Sequence, residues 1–459
     1  MKKNFHLFFL STLLLVVSCT NGKKSKYNYI VIFTDDMGYG DLGVFGHPTI
    51  NTPFLDKMAQ EGQKWTQFYS AASVCTPSRA ALLTGRLPIR SGMASSVNRV
   101  LFPNSKNGIP KQEVLIAEKL KEYNYQTAIV GKWHLGHHPE FLPLNHGFDY
   151  FYGIPYSNDM DKINDSPYWS EYDRKELNSA SYNVPLIENF SVIERPTDQT
   201  TITKRYTEKV IELIHKYKDA PFFIYLAHSL PHIPLYVSKE FLGKSKRGLY
   251  GDVIEEIDFG VGQIIDELKK LTLDKNTIVV FTSDNGPWLA YKTHGGSAGL
   301  LRNGKGTTWE GGVRVPTLFW GANITPKVVD GIGSTLDLYP TLLALANINY
   351  DEDNTLDGMD LSETLLNGKE SPRQMMPFYN GSELYAFRVN DHKIHFKTSS
   401  WFSKVEEHHP PLLFNLNIDP SEKNNIAEDA PQKVDEIITI MEGYTKEITR
   451  GEDQLKERD

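Results

Sequence analysis

Four apolar runs, rich in β-branched and aromatic residues, recur along the chain without the polar alternation of a half-exposed strand. They are Tyr29–Thr34, Gln126–Val130, Pro221–His228 and Thr277–Thr282. Uninterrupted runs of this length are typical of strands buried on both faces of a parallel sheet. Helical patterns lie between them, at Thr52–Gly62, Gln112–Tyr123, Gln199–Tyr217 and Asp252–Leu271. Strands that alternate with helices predict an α/β domain with helices on both faces of its sheet.

Each apolar run is followed by side chains that carry charge or can bind a metal. In chain order these are Asp35 and Asp36, then Lys132 and His134, then His232, and finally Asp284 and Asn285. Ligands of open parallel sheets bind beyond the carboxyl ends of the strands. Because all the predicted strands end in this way, the pattern predicts one composite active site at that edge of the sheet.

The first and last of these groups offer only hard oxygen ligands. They end the matching sequences Phe-Thr-Asp-Asp, at Asp36, and Phe-Thr-Ser-Asp-Asn, at Asn285. Four protein oxygens together with substrate oxygens suit Ca²⁺, whereas Mg²⁺ requires a tighter octahedron. The sequence lacks the cluster of cysteine and histidine ligands that is typical of a zinc site. The sequence therefore predicts one calcium ion at the sheet edge.

The pattern changes near Gly368, where shorter strand-like pieces replace the long apolar runs. These pieces are Leu384–Val389, Lys393–Lys397 and Leu412–Leu416, and a helical pattern follows at Pro431–Ile448. We expect a catalytic domain over residues 28–370 and a C-terminal subdomain over residues 371–459, built from a small antiparallel sheet and a helix. The charged tail after Arg450 is expected to fray.

The N-terminus has the features of an export signal. Lys2 and Lys3 precede the apolar run Leu7–Val17, which is too short to span a bilayer comfortably. The run leads into Val-Val-Ser-Cys, ending at Cys19, which resembles a bacterial lipobox. We expect a signal peptide at 1–18, lipidation of Cys19 and a tether at 19–27, so that the protein is an exported lipoprotein of the periplasm or outer-membrane surface. An ordinary cleaved signal is the alternative.

Composition narrows the function without defining it. The chain has 459 residues, a net charge of −8 and only two cysteines. An acidic protein is a poor candidate for nucleic-acid binding, and it can bind an anionic substrate only through a local cationic pocket. Cys19 is expected to be lipidated, and the second cysteine, Cys75, is a candidate for chemistry. We therefore expect no structural disulfide.

The second cysteine lies at the start of a predicted helix. Pro77 fits the first helical position and Gly85 fits just past the end. Cys75 would then lie at the helix N-terminus, where free N–H groups favour anions, with Arg79 one turn further on. A buried, inert thiol is the alternative interpretation. Lys305, in a glycine-rich loop, could also approach an anion closely.

The sequence from Cys75 resembles the signature of the formylglycine-dependent sulfatases. It reads Cys-Thr-Pro-Ser-Arg, and Leu-Thr-Gly-Arg follows, ending at Arg86. Three further segments match the family: Gly131–Gly136, Gly153–Ser157 and Gly304–Arg314. The similarity extends over about residues 28–425 and is closest to the arylsulfatase A-like branch, in a bacterial, polysaccharide-active form.

The resemblance implies an alkaline phosphatase-like fold and a specific set of site residues. Cys75 would be oxidised to formylglycine (3-oxoalanine) by a formylglycine-generating enzyme or an anaerobic sulfatase-maturating enzyme. The implied ligands of one Ca²⁺ ion are Asp35, Asp36, Cys75, Asp284 and Asn285. The implied catalytic residues are Cys75, Arg79, Lys132, His134, His232 and Lys305. Ser157 matches a substrate-binding position, and the loop residues His294 and Arg302 are expected to contact sugar.

The expected function is hydrolysis of sulfate esters in a sulfated carbohydrate. Candidates are algal polysaccharides such as ulvan, carrageenan or fucan, and glycosaminoglycan oligosaccharides. One alternative is a phosphoester or phosphonate hydrolase of the same superfamily, although a phosphomonoesterase would be expected to use a Ser or Thr nucleophile and two metals. A lipoprotein that binds glycans without turning them over is the other alternative.

Overall fold

A computed structural model of the chain describes residues 26–163, 181–350, 355–401 and 403–459. The expected signal peptide at 1–18, Cys19 and most of the tether lie outside the described residues. Among the helices that are described, none is both long enough and apolar enough to cross a membrane.

The larger part of the chain alternates strands with helices. Its strands are β1 (Asn28–Thr34), β2 (Gln63–Tyr69), β3 (Gln126–Gly131), β4 (Tyr150–Gly153), β5 (Leu186–Glu188), β6 (Ser191–Glu194), β7 (Phe222–Ala227), β8 (Thr277–Ser283), β9 (Thr317–Gly321) and β10 (Lys327–Ser334). Its α-helices are α1 (Pro53–Glu61), α2 (Cys75–Thr84), α3 (Pro88–Ser91), α4 (Ile116–Glu122), α5 (Ile202–Tyr217), α6 (Leu249–Lys270), α7 (Glu310–Val313), α8 (Leu338–Leu345) and α9 (Ser362–Asn367).

These strands form one ten-stranded sheet in the order β10-β2-β9-β8-β1-β7-β3-β4-β5-β6. The central strands β8, β1, β7, β3 and β4 run parallel, and antiparallel strands flank them on both sides. The four predicted buried strands are therefore the adjacent strands β8-β1-β7-β3. Their carboxyl ends meet at one edge, as the sequence predicts.

Apolar side chains cover both faces of the sheet. Along β1, Tyr29, Val31 and Phe33 enter one hydrophobic core, and Ile30 and Ile32 enter the other. Helices α2, α4 and α8 pack in the first core, whereas α1, α5 and α6 pack in the second. Burial of each such side chain stabilises the fold by about 1.5–3 kcal/mol, which explains why the strands lack polar alternation.

Helix α2 differs from its prediction at one end. It begins at Cys75 rather than at Pro77, so the proline is the third helical residue. The first four N–H groups of a helix have no intrahelical partner, and a proline there removes no hydrogen bond. Gly85 follows the helix with φ 67°, and its N–H donates to Ala81 O at 2.9 Å. The predicted start of α4 is also wrong, since α4 begins at Ile116 rather than Gln112.

The C-terminal part is a separate antiparallel sheet with one helix. It contains β11 (Met375–Asn380), β12 (Glu383–Val389), β13 (His392–Thr398), β14 (Glu406–Asn415) and α10 (Pro431–Lys446). The strands pair in sequence order, and a small core between the sheet and α10 includes Phe387, Ile394, Leu413 and Ile437. This confirms the predicted antiparallel sheet and helix.

The prediction that the tail after Arg450 frays is wrong. The Gly451 N–H donates to Ile89 O, and the Gln454 N–H donates to Gly92 O, each at 2.9 Å. Leu455 is fully buried in the core that contains α2. Backbone pairing and one buried leucine therefore hold this charged segment against the larger domain.

Buried charges join the two sheets. The Lys393 ammonium, on β13, donates to Glu310 Oε1 at 2.9 Å and lies 3.2 Å from Glu422 Oε1, and all three side chains are fully buried. The Glu310 N–H donates to Glu422 Oε2 at 2.6 Å, and Tyr69 on β2 donates to Glu310 Oε2 at 2.6 Å. The C-terminal sheet therefore fixes α7, which follows the glycine-rich loop of Lys305.

Replacing Lys393 by Met should lower the free energy of unfolding by about 3–5 kcal/mol, because two buried carboxylates lose their shared cation. Chemical denaturation followed by circular dichroism measures the change. Lys369→Met, which removes an exposed ion pair with Glu363, is the matched control and should leave stability unchanged. Equal stability of the two variants would contradict the anchoring role of Lys393.

Candidate active site

Cys75 lies at the N-terminus of α2, against the end of β1. Its Sγ donates to Asp35 Oδ1 at 3.2 Å, and the Lys305 ammonium lies 3.5 Å from the same sulfur. The side chain is almost fully buried. Burial and the neighbouring Asp35 carboxylate hold the pKa of the Cys75 thiol well above its usual value. The unmodified residue is therefore a protonated thiol facing a carboxylate and an ammonium.

The oxygen ligands predicted from the strand ends come together beside this sulfur. Ligand atoms of Asp35, Asp36, Cys75 and His232 all lie within 4.8 Å of one another. Asp284 Oδ1 accepts a hydrogen bond from the Asp36 N–H at 3.1 Å, and Asn285 Nδ2 donates to Asp36 Oδ1 at 2.7 Å.

One atom of this cluster is suited to bind a cation. Asn285 Oδ1 is buried and has no hydrogen-bond partner in the described part of the chain. A buried carbonyl oxygen without a donor is costly, and a hard cation would satisfy it. The carboxylate and amide oxygens of Asp35, Asp36, Asp284 and Asn285 therefore fit a metal of the calcium type.

Arg79 links the two pairs of predicted metal ligands, because it contacts one carboxylate of each pair. Its Nη2 lies 2.9 Å from Asp284 Oδ2 and 3.5 Å from Asp35 Oδ2, and its Nη1 donates to Lys132 O at 3.1 Å. The guanidinium is fully buried. A planar fork can hold three acceptors in fixed directions, so Arg79 sets the separation of the two strand ends.

Two lysines provide further positive charge beside the buried carboxylates. The Lys132 ammonium donates to Asp35 Oδ2 at 2.5 Å and to Ser157 Oγ at 3.1 Å. The Lys305 ammonium lies 2.7 Å from Asp36 Oδ1 and 4.3 Å from the centroid of the Trp288 ring. The structure thus brings Ser157 and both lysines to the same group of carboxylates.

The two predicted catalytic histidines are each held through one ring nitrogen. His232 Nδ1 lies 2.6 Å from Ile233 O, which identifies Nδ1 as the protonated nitrogen and leaves Nε2 facing Asp36 Oδ2 at 3.6 Å. His134 Nε2 lies 2.9 Å from Leu101 O, and among the described residues its buried Nδ1 has no partner. Each ring is therefore held by a backbone carbonyl, with its second nitrogen available for chemistry.

The crowded carboxylates have divergent acidities. Burial alone would raise the pKa of Asp35, but the nearby cations, Lys132 first, hold it well below its usual value. Burial and the Asp35 charge raise the pKa of Asp284 to about 7. Asp35 is thus the carboxylate that the lysines keep ionised, whereas Asp284 depends chiefly on Arg79.

The two expected sugar contacts on loops lie in different settings. Arg302 is turned toward the C-terminal sheet: its Nη1 donates to Glu422 O at 2.7 Å, and its guanidinium carbon lies 3.7 Å from the Trp309 ring centroid. These contacts hold one side of the guanidinium, but the residue is exposed, and its contact with sugar stays a prediction. His294 ends the 3-10 segment Leu289–His294 and is partly buried.

Sequence reasoning missed two contributors to the site's surroundings. Asp41 accepts hydrogen bonds from the Gly38 and Ser297 N–H groups and from the Tyr250 hydroxyl, at 2.6–2.7 Å, and so fixes the loop after Asp36. Trp401, from the loop between β13 and β14, packs against Trp288 with ring centroids 4.7 Å apart. The sequence shows a tryptophan between two short predicted strands. It gives no sign that this residue packs against Trp288, which is distant in sequence.

Comparison with known proteins agrees with this geometry. A family model described as Sulfatase matches residues 27–348, and one described as the C-terminal region of aryl-sulfatase matches residues 371–459. The chain therefore belongs to the sulfatase family, as its motifs indicate. Within the family it is arylsulfatase A-like, and it is a sulfuric ester hydrolase.

Relatives and solved structures cover nearly the whole chain. Arylsulfatase A of Bos taurus is 40% identical and spans 97% of this chain and 94% of the relative. N-acetylgalactosamine-6-sulfatase of Mus musculus is 37% identical and spans 96% and 91%. The PsFucS1 sulfatase from Pseudoalteromonas sp. superposes with a TM-score of 0.82 at 30% identity, over 92% of this chain and 90% of that chain. The alkaline phosphatase-like fold is thereby confirmed.

Replacing Arg79 by Lys should lower kcat for an aryl sulfate by about 10²–10³-fold, since a single ammonium cannot hold Asp284, Asp35 and Lys132 O together. Steady-state assays of 4-nitrocatechol sulfate hydrolysis test this. Arg86→Lys, in the same signature, is the control and should stay near wild type. Comparable kcat values for the two variants would contradict the role of Arg79.

Proposed function

We propose that the protein hydrolyses sulfate esters of a carbohydrate with a formylglycine made from Cys75, assisted by one calcium ion. The observation that carries the proposal is the placement of Cys75 Sγ 3.2 Å from Asp35 and 3.5 Å from the Lys305 ammonium, beside four hard oxygen donors. A small group on the residue-75 side chain would lie between a metal and a cation, as a nucleophile toward an oxyanion ester requires.

The names of similar proteins support a sugar substrate. They include an N-acetylgalactosamine-6-sulfatase and a "6S-sulf" protein from a Bacteroides thetaiotaomicron locus for metabolism of multiple glycosaminoglycans, at a TM-score of 0.79 and 29% identity over 92% of this chain and 100% of that chain. Another neighbour was solved with neocarrahexaose. Because these sugars differ, the proposal is limited to the class of sulfated carbohydrates.

Conversion of Cys75 would require a separate maturation enzyme. Replacement of the thiol by an aldehyde oxygen adds water, releases hydrogen sulfide and removes two electrons, which the maturation enzyme would pass to dioxygen or to a radical cofactor. The hydrated aldehyde supplies two hydroxyl groups on one carbon, of which one attacks sulfur and the other expels sulfate. A thiol would form a sulfur adduct with no comparable route to breakdown.

The chain's own residues would stabilise charge around that group. Lys132 and Lys305 would neutralise the sulfuryl oxygens, and preorganised donors of this kind contribute about 3–4 kcal/mol each. Arg79 would keep Asp35 and Asp284 in place. Calcium held by the four oxygen ligands would polarise the sulfate and favour the alkoxide form of the nucleophile.

The histidines would move the protons. With Nδ1–H donated to Ile233 O, His232 Nε2 would first take up a proton, and the resulting imidazolium is the acid that we assign to the departing alcohol; the Lys305 ammonium shares that role. His134 Nδ1, which lacks a partner among the described residues, is assigned to the second hydroxyl group of residue 75. Export as a lipoprotein anchored at Cys19 completes the proposal and would place the enzyme where polymeric substrates occur.

Replacing Cys75 by Ala should abolish sulfate release while the circular dichroism spectrum and Tm remain those of the wild type, because only the nucleophile is lost. Ser78→Ala, in the same signature, removes a hydroxyl that has no partner in the described chain and should retain activity. Aldehyde labelling and mass spectrometry of the residue-75 peptide report the modification. Sulfate release by the Cys75→Ala variant would refute the nucleophile, and faster cleavage of a matched aryl phosphate would favour a phosphohydrolase.

Calcium should raise the thermal stability of the chelated protein, since a ligand that binds only the folded state stabilises it by about 2.7 kcal/mol at a hundredfold excess over its Kd. Differential scanning calorimetry with and without calcium measures the shift. Asn285→Leu removes the unpaired oxygen and should abolish the shift. A Tm independent of calcium in the wild type would contradict the metal site.

A further inference from the structure

Trp401 brings the C-terminal sheet to the edge of the active site. Its ring packs nearly edge-on against Trp288, with centroids 4.7 Å apart. Trp288 in turn lies 5.3 Å from the His232 ring and 4.3 Å from the Lys305 ammonium. One aromatic ring thus separates Trp401 from two residues assigned to the chemistry, and Trp401 itself is only partly buried.

Arg99 lies over Trp401. Its guanidinium carbon is 4.7 Å from the ring centroid, and the side chain is exposed. Within the described ranges Arg99 forms neither an ion pair nor a hydrogen bond. The pair therefore presents an uncommitted cation and a partly exposed indole ring at the surface.

Gly306 fixes the position of this pair relative to the catalytic loop. A Cβ atom on Gly306 would lie 2.6 Å from Trp401 Cε3 and 3.0 Å from Arg99 Nη1. Gly306 directly follows Lys305, and its N–H donates at 2.8 Å to the carbonyl of Ser73, two residues before Cys75. Arg99 and Trp401 therefore lie directly over the backbone that holds Lys305 beside the nucleophile.

The charge balance distinguishes Arg99 from the inner cations. Arg79, Lys132 and Lys305 each contact a buried carboxylate, and their charge is largely committed to the ligand cluster. The chain as a whole carries a net charge of −8. On this acidic chain, Arg99 offers an additional anionic group of a substrate an unpaired guanidinium at the rim.

We propose that Arg99 and Trp401 form a recognition subsite for a second anionic group, a carboxylate or another sulfate, on a sugar at or next to the one that bears the scissile ester. This rests on the proposed carbohydrate sulfatase activity. The guanidinium fork matches planar and tetrahedral oxyanions, and the indole face covers the apolar face of a sugar ring. The subsite thus selects multiply charged saccharides over singly charged ones.

The test compares Arg99→Ala, Arg99→Lys and Trp401→Ala with Lys269→Ala. Lys269 forms a comparable pair, 5.3 Å from the Trp320 centroid, but it lies at the C-terminal end of α6, the helix that precedes β8. It is therefore at the amino end of the strands, away from the site. The substrates are 4-nitrocatechol sulfate and the monosulfates of N-acetylgalactosamine, glucosamine, galactose and fucose. Each sugar is paired with a form that differs only by a second sulfate or an attached uronate.

In the wild type kcat/KM should be higher for the doubly charged member of each accepted pair. Arg99→Ala should lower that preference about tenfold or more, chiefly through KM, because it removes a charge-assisted hydrogen bond to the second anionic group. Arg99→Lys should restore part of it. Trp401→Ala should raise KM for all saccharides relative to the aryl sulfate, and Lys269→Ala should leave every ratio unchanged. The sulfate and uronate arms show which anion is recognised.

Binding of the same saccharides to the Cys75→Ala protein, with and without Arg99→Ala, provides a readout without turnover. A preference that Arg99→Ala leaves intact, or an equal loss for singly and doubly charged sugars, would overturn the subsite while the carbohydrate activity stands. If the wild type cleaves only 4-nitrocatechol sulfate and the Cys75→Ala protein binds no saccharide, the carbohydrate function itself is wrong.

Discussion

The whole site depends on packing three carboxylates into one buried space. Asp35, Asp36 and Asp284 repel one another, and removing them from water is costly. The fold offsets this with cations from three separate elements: Arg79 from α2, Lys132 from the end of β3 and Lys305 from the glycine-rich loop. Since each cation comes from a different part of the chain, the cluster exists only when all of these parts are in position.

The C-terminal sheet belongs to this arrangement rather than being attached to it. Lys393 meets Glu310 in a buried pair, and Glu422 receives the Glu310 N–H. Glu310 begins α7, which ends the glycine-rich segment that carries Lys305. The position of the Lys305 ammonium thus depends on the C-terminal sheet, through the chain that joins Lys305 to Glu310 and through the ion pair of Glu310 with Lys393. The loop between two strands of the same sheet contributes Trp401 to the rim of the site.

Much of this could be predicted from the sequence because the decisive signals are local. An uninterrupted apolar run such as Thr277–Thr282 predicts a strand that is buried on both faces. Parallel strands then bring the residues at their carboxyl ends, such as Asp284, to a common edge of the sheet. The errors arose where distant partners decide. The tail is held by residues near Gly92, and no local pattern indicates that Trp401 reaches Trp288.

The docking of the tail has a consequence for the order of events during biosynthesis. Residues near 451–455 pack against Ile89 and Gly92. Ile89 and Gly92 follow Cys75 closely in the sequence, whereas the ribosome makes residues 451–455 hundreds of residues later. In the finished molecule Cys75 is almost fully buried. If Cys75 is converted to formylglycine as proposed, the maturation enzyme would therefore act while the chain is still open, before the residues near 451–455 have been made and docked.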